Sequence, residues 1–189
     1  MSERWRCFVA IPIGEALAAS LRNASVPWRA ALSGADIRWL EPDAWHVTLA
    51  FLGDVDADRI PSIEAQLPDL VAGMGPVLLV PDAVVPWPRA DEARTVSCRL
   101  RPEAGIGELH NRVAGALGAT ERRRFRPHIT LGRVRGGRRI DLADHPATSP
   151  VPELPTSVAR EVVLYRSHRD STSTTYEAIA RVPLAGVPA

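Results

Sequence analysis

Trp45-His46-Val47-Thr48-Leu49-Ala50-Phe51-Leu52-Gly53 alternates apolar and polar side chains over its first five positions and stops at a glycine. A period of two marks a half-buried strand. The phrase returns 82 residues later (128 less 46) as Pro127-His128-Ile129-Thr130-Leu131-Gly132-Arg133. In each copy the histidine and the threonine share one face, while Val47, Leu49, Ile129 and Leu131 turn the other way, toward a core. Two copies at this spacing are too few for a solenoid. A pseudo-two-fold arrangement of two lobes accounts for them.

Outward from these strands, the pattern mixes strands and helices. Arg6 to Ile13 is a β-like run, and Glu15 to Leu32 has helical spacing with a break or kink expected near Pro27. Ile37 to Leu40 reads as a short strand and Ala57 to Leu70 as a helix. Gly75 to Val85 and Arg94 to Leu100 read as strands around a Pro86-Trp87-Pro88 loop, followed by a helix over Glu103 to Leu117. A proline-rich connection runs from Gly136 to about Pro155, and Val158 to Arg166 with Thr174 to Pro183 form a closing antiparallel pair. The expected class is α+β: one bilobal, pseudo-two-fold domain over residues 1–189, with two mainly antiparallel sheets forming a central cleft and helices packed outside.

Composition narrows the chemistry. With 46% hydrophobic and 24% charged residues, the chain can close an ordinary globular core without staples. Cys7 and Cys98 lie in apolar runs, which predicts reduced core thiols. No apolar stretch approaches membrane-spanning length and the first residues make a poor signal peptide, so a soluble cytoplasmic monomer is expected. All 23 basic residues are arginine. The lack of lysine excludes Walker-type phosphate loops and any covalent lysyl intermediate. Residues 120–139 hold eight arginines against Glu121, a local +7, while the net charge of the whole is only +1. Such a patch attracts phosphates.

Two strands that each present an imidazole beside a hydroxyl suit displacement at phosphorus. One group must take a proton from the nucleophile and another must give one to the departing oxygen. Histidine, with a pKa near 6.5, can do either near neutral pH. Metal chemistry is not expected: His-x-Thr is a poor chelating unit, and His110, His145 and His168 have no partner at ligand spacing.

With these motifs in hand, the chain resembles the two-histidine (2H) phosphoesterases, most closely the bacterial RNA 2′,3′-cyclic phosphodiesterases, also called 2′-5′ RNA ligase-like. The resemblance extends over Arg6–Ile11, Arg38–Pro42, Trp45–Gly53, Phe125–Arg133 and Val163–Ser167 with Tyr176. It implies histidine strands lining a cleft and hydrolysis of RNA 2′,3′-cyclic phosphate ends to 2′-phosphomonoesters, without metal or cofactor. His46 and His128 become the acid–base pair, with His128 assigned as base and His46 as acid. Thr48 and Thr130 become phosphate ligands, joined by Arg133. Alternation puts Arg133 on the face opposite His128, so it reaches the site only if the strand bends or bulges, with Gly132 the expected place. Arg126 and Arg135 are expected to help keep His128 neutral. Trp87, Tyr165, Phe8 and Trp45 are candidates to stack a base, Trp87 foremost because prolines flank it. The expected partners are RNA ends or nucleotide cyclic phosphates. Joining of 2′–5′ ends would be hydrolysis reversed. A family enzyme for small cyclic nucleotides or nucleotide-sugar cyclic phosphates, and a non-catalytic RNA-end binding module, remain alternative readings.

Overall fold

The computed structural model describes residues 3–119, 124–143, 154–169 and 174–186. Its strands are β1 (Arg4–Pro12), β2 (Ile37–Trp39), β3 (His46–Asp56), β4 (Val77–Leu79), β5 (Pro81–Trp87), β6 (Thr95–Leu100), β7 (His128–Val134), β8 (Ser157–Ala159), β9 (Glu161–Arg169) and β10 (Thr174–Pro183). Three helices accompany them: α1 (Glu15–Ala31), α2 (Ile60–Val71) and α3 (Ala104–Leu117).

The class is α+β, with antiparallel pairing throughout the main sheet. Its strand order is β10-β9-β1-β3-β7-β6-β5, with β2 also on β7. Four strands thus centre on the first histidine strand and four on the second. The halves are joined by one register pair, Val47 opposite Ile129. The two sheets expected from the sequence are therefore two halves of one sheet, touching at a single point. β4 and β8 make a separate ribbon.

The core follows from the sequence periods. Val9, Ile11, Val47, Leu49, Ile129 and Leu131 are buried beneath the strands. Helix α1 buries Leu17, Leu21, Ser25 and Trp28, a helical stripe. It runs through Pro27 without interruption, because Pro27 and Asn23, the residue whose carbonyl loses its donor, are both exposed to water. Helix α2 buries Ile60, Ile63, Leu67 and Val71, and α3 buries Ile106, Leu109 and Val113 before ending at Gly118 in the left-handed region (φ 65°). Cys7 and Cys98 are free and buried, and burial pushes their thiols up to about 11 and about 12.

Several boundaries differ from expectation. β3 continues past Gly53 to Asp56, because Gly53 takes a positive φ of 73° that lets the strand bulge and resume. The run over Gly75 to Val85 is two strands, and Trp87 closes β5 instead of standing in a loop. The run from Val158 is likewise divided between β8 and β9. The connection expected from Gly136 to Pro155 falls largely outside the described residues, as do Arg122, Arg123 and His145. Among the described residues, no helix is long and apolar enough to cross a membrane.

Candidate active site between the two histidine strands

In an antiparallel pair, one step either side of Val47–Ile129 sets His46 across from Thr130 and Thr48 across from His128. The four side chains predicted as a constellation therefore surround the single point where the two halves meet. All four are half-buried, whereas Val47 and Ile129 are fully buried on the opposite face.

Both strands carry the same irregularity. Along β1, Val9 pairs with Ala50 but Ala10 with Thr48, so Leu49 is an extra residue. Along β6, Val96 pairs with Gly132 but Ser97 with Thr130, so Leu131 is extra. A bulge of one residue reverses the phase of a strand. Burial records the reversal: Leu49 and Ala50 are buried in succession, and so are Leu131 and Gly132. Phe51 and Arg133, each five residues after its histidine, are thereby returned to the histidine face. This resolves the difficulty with Arg133. The bulge lies at Leu131, while Gly132 serves close packing: a Cβ there would stand 2.9 Å from Ile37 Cγ2 and 2.9 Å from Trp39 Cε3.

The imidazoles are held alike. His46 Nδ1 is 2.9 Å from the Ala44 carbonyl and His128 Nδ1 is 2.8 Å from the Arg126 carbonyl. A carbonyl only accepts, so each Nδ1 carries the proton and donates it, leaving Nε2 as the nitrogen for chemistry. Their surroundings differ. His46 stacks on Phe8 (4.8 Å between centroids) and meets Tyr176 edge-on at 5.1 Å. His128 stacks on Trp87 at 4.5 Å. Burial, reinforced by the charges of Arg133 and His128 and opposed by the Ala44 hydrogen bond, pushes His46 down to about 4. Burial therefore favours the neutral form of the His46 imidazole. The Arg135 guanidinium pairs with Asp36 at 3.4 Å.

The remaining predicted residues are near but variously engaged. Trp87 has the Arg126 guanidinium over its ring at 4.0 Å in addition to His128. Tyr165 stacks on Phe8 at 5.2 Å, 6.0 Å from His46, and burial raises its phenol. Trp45 is core, only 3% exposed.

Sequence reasoning missed three residues. Thr95 lies opposite Arg133 and Ser97 opposite Thr130, their hydroxyl oxygens 3.0 Å apart and Ser97 fully buried. The polar alternation of Thr95, Ser97 and Arg99 along one strand was the available signal. His110, on α3, donates from Nδ1 to the Leu49 carbonyl at 2.6 Å, so it satisfies a backbone group at the first bulge. Its ring lies parallel to Phe125 at 4.0 Å. A cavity of about 260 Å³ opens beside the constellation, bounded by Thr48, Phe51, Trp87, His110, Phe125 and His128, with Arg124 and Arg126 also lining it. Among the described residues, no group of three or more His, Cys, Asp or Glu is placed to hold a metal ion.

Several known proteins are similar to this chain over most of its length. The family described as LigT-like phosphoesterase matches residues 11–95. An RNA 2′,3′-cyclic phosphodiesterase of Geobacillus stearothermophilus is 31% identical over 98% of this chain, which spans only 59% of that relative's length. A protein of the same description from Archaeoglobus fulgidus is 29% identical, covering 69% of this chain and 73% of its own. Among solved structures, E. coli LigT in its apo form superposes with a TM-score of 0.72 at 26% identity, over 96% of this chain and 98% of that one. E. coli LigT complexed with 3′-AMP gives 0.70 at 27% identity, over 97% of this chain and 99% of that one.

Proposed function

We propose that this chain, which is similar to the LigT-like phosphoesterases, hydrolyses 2′,3′-cyclic phosphates at RNA ends to 2′-phosphomonoesters, using His46 and His128 as an acid–base pair. The observation that carries this reading is the matched tethering of the two imidazoles, each through Nδ1 to a carbonyl two residues earlier, on either side of the one pair that joins the halves.

The chemistry needs one proton shared by two sites. A neutral imidazole accepts a proton from water at Nε2 as the water oxygen bonds to phosphorus. The P–O3′ bond breaks, and the protonated imidazole supplies a proton to O3′. The free 3′-hydroxyl and the 2′-phosphate leave with the pair's single proton transferred from one ring to the other. Arg133 and the threonine hydroxyls hold the non-bridging oxygens, where negative charge builds. Burial above all, with smaller contributions from the charges of Arg133 and His128, favours the neutral form of His46. For His46 to serve as the acid, the bound phosphate must offset Arg133 and bring the proton with it.

The test uses an oligoribonucleotide with a 2′,3′-cyclic phosphate end, in the presence of EDTA. Turnover should survive EDTA and fall roughly 10²–10⁴-fold in His46→Ala and in His128→Ala. Loss with EDTA points to a metal, unchanged variants remove the acid–base pair, and binding without turnover points to an RNA-end binding module. Joining of 2′–5′ ends, if the protein performs it, is the same reaction reversed with a 5′-hydroxyl in place of water. With no lysine in the chain, ATP should leave no stable phosphoramidate label on the protein.

A further inference from the structure

We propose that Arg38 seats a second anion, the backbone phosphodiester on the 5′ side of the nucleotide that carries the cyclic phosphate, and so selects an RNA end over a free mononucleotide. The assignment rests on the cyclic-phosphate reading and deepens it. Arg38 stands directly opposite Arg133 in the antiparallel register of β2 on β7. Opposed residues of such a pair share a face. Arg133 is returned to the histidine face by the bulge at Leu131, so Arg38 lies on that face as well. Like charges directly opposite one another are destabilising. Both side chains are half-buried, and among the described residues no carboxylate pairs with either. Arg38 donates only from Nη2 to the Thr174 hydroxyl, at 2.9 Å. An anion beside the two guanidiniums supplies the missing counter-charge.

The short strand that carries Arg38 is held from several sides. Trp39 packs where a Gly132 Cβ would fall, and the Arg29 guanidinium lies 5.2 Å from the Trp39 ring. Leu40 donates its N–H to the Leu131 carbonyl at 2.8 Å. A strand fixed in this way presents its guanidinium at little entropic cost.

Position identifies the anion. Thr95, opposite Arg133, is two residues along β6 from Ser97, opposite Thr130, so the row of Arg38 and Arg133 lies about 7 Å from the row of Thr130. Oxygens of one phosphorus do not span that distance, whereas the next phosphate of a nucleic-acid strand does. A cavity of about 400 Å³ opens at Arg38, lined also by Ala44, Thr174 and Tyr176. Ala44 tethers His46 through its carbonyl and Tyr176 meets the His46 ring, so the cavity adjoins the reaction centre. Glu41 and Asp43 line it too, but both are exposed, where water and salt screen them.

The test compares an adenosine dinucleotide ending in a 2′,3′-cyclic phosphate with the same molecule carrying an uncharged methylphosphonate at its internal linkage. Both keep two bases, so the comparison reads the charge. Wild-type protein should turn over the charged form with a kcat/KM about tenfold or more above the neutral form, as a charge-assisted hydrogen bond provides. Arg38→Gln should bring that ratio toward one, and Arg38→Lys should keep part of it. A general loss of fold or catalysis affects both substrates alike and leaves the ratio in place. Equal turnover of the two forms by the wild type, or an undiminished ratio in Arg38→Gln, overturns the seat. Binding supplies an arm that does not depend on turnover. For the dinucleotide ending in a 2′-phosphate, the slope of log K against log salt should be shallower by about 0.7 in Arg38→Gln than in wild type. An unchanged slope also overturns the seat. Absence of turnover on either cyclic phosphate would instead remove the proposed reaction, leaving the salt slope to decide the role of Arg38.

Discussion

His46 stands between aromatic rings and a guanidinium, and its pKa of about 4, against an ordinary 6.5, links the fold to pH. The unfolded chain takes up this proton before the folded one does. Stability from the neutral imidazole is therefore complete above about pH 6.5 and is lost as pH falls toward 4, by up to roughly 3 kcal/mol. Urea unfolding at pH 4.5 and pH 7 should differ less in His46→Gln than in wild type; an equal difference would contradict the buried neutral state. Arg133 contributes to that depression. Arg133→Gln should raise the His46 pKa in an NMR titration and raise KM more than it lowers kcat. The acid and base can be told apart with a nucleoside phosphodiester carrying a nitrophenolate leaving group, which departs without a proton. One histidine-to-alanine variant should recover on this substrate and the other should not. Recovery of both, or of neither, would deny a division of labour.

Among elements, the bulges at Leu49 and Leu131 decide what the site contains. Without them Phe51 and Arg133 would point into the core side of their strands. Alternation showed from the sequence that Arg133 needed such a device, yet no residue announces it: both extra positions are leucines, sterically ordinary in a strand. Gly132 looked like the place, but its role is to let Ile37 and Trp39 of β2 lie against β7. Gly132→Ala should accordingly cost about 1–3 kcal/mol through overpacking, read as a fall of several degrees in Tm with β2 displaced. An unaltered Tm would mean that the β2 contact yields freely. The histidines and threonines were legible because a period of two assigns faces over short distances. Ser97 and Thr95 were not singled out, because their importance depends on register with β7, a long-range fact.

Over the whole molecule, the arginine cluster is less available than its sum suggests. Arg135 pairs with Asp36, Arg139 with Glu92, and Arg126 lies over Trp87. Eight free arginines neutralising eight phosphates of a single strand would give a slope of about −5.6 in log K against log salt, at about −0.7 each. The measured slope for an RNA end should be clearly shallower, and a value near −5.6 would show that the ion pairs open on binding. The two-lobed α+β plan was legible in the repeat, but the union of both lobes into one sheet was not, since a single residue pair makes it. Other links span the same seam: His110 of α3 donates to the Leu49 carbonyl of β3, and Arg38 donates to the Thr174 hydroxyl. The two proton carriers therefore stand where the halves are stitched together by backbone and side chains alike, so a change that loosens either stitch should register first in their spacing.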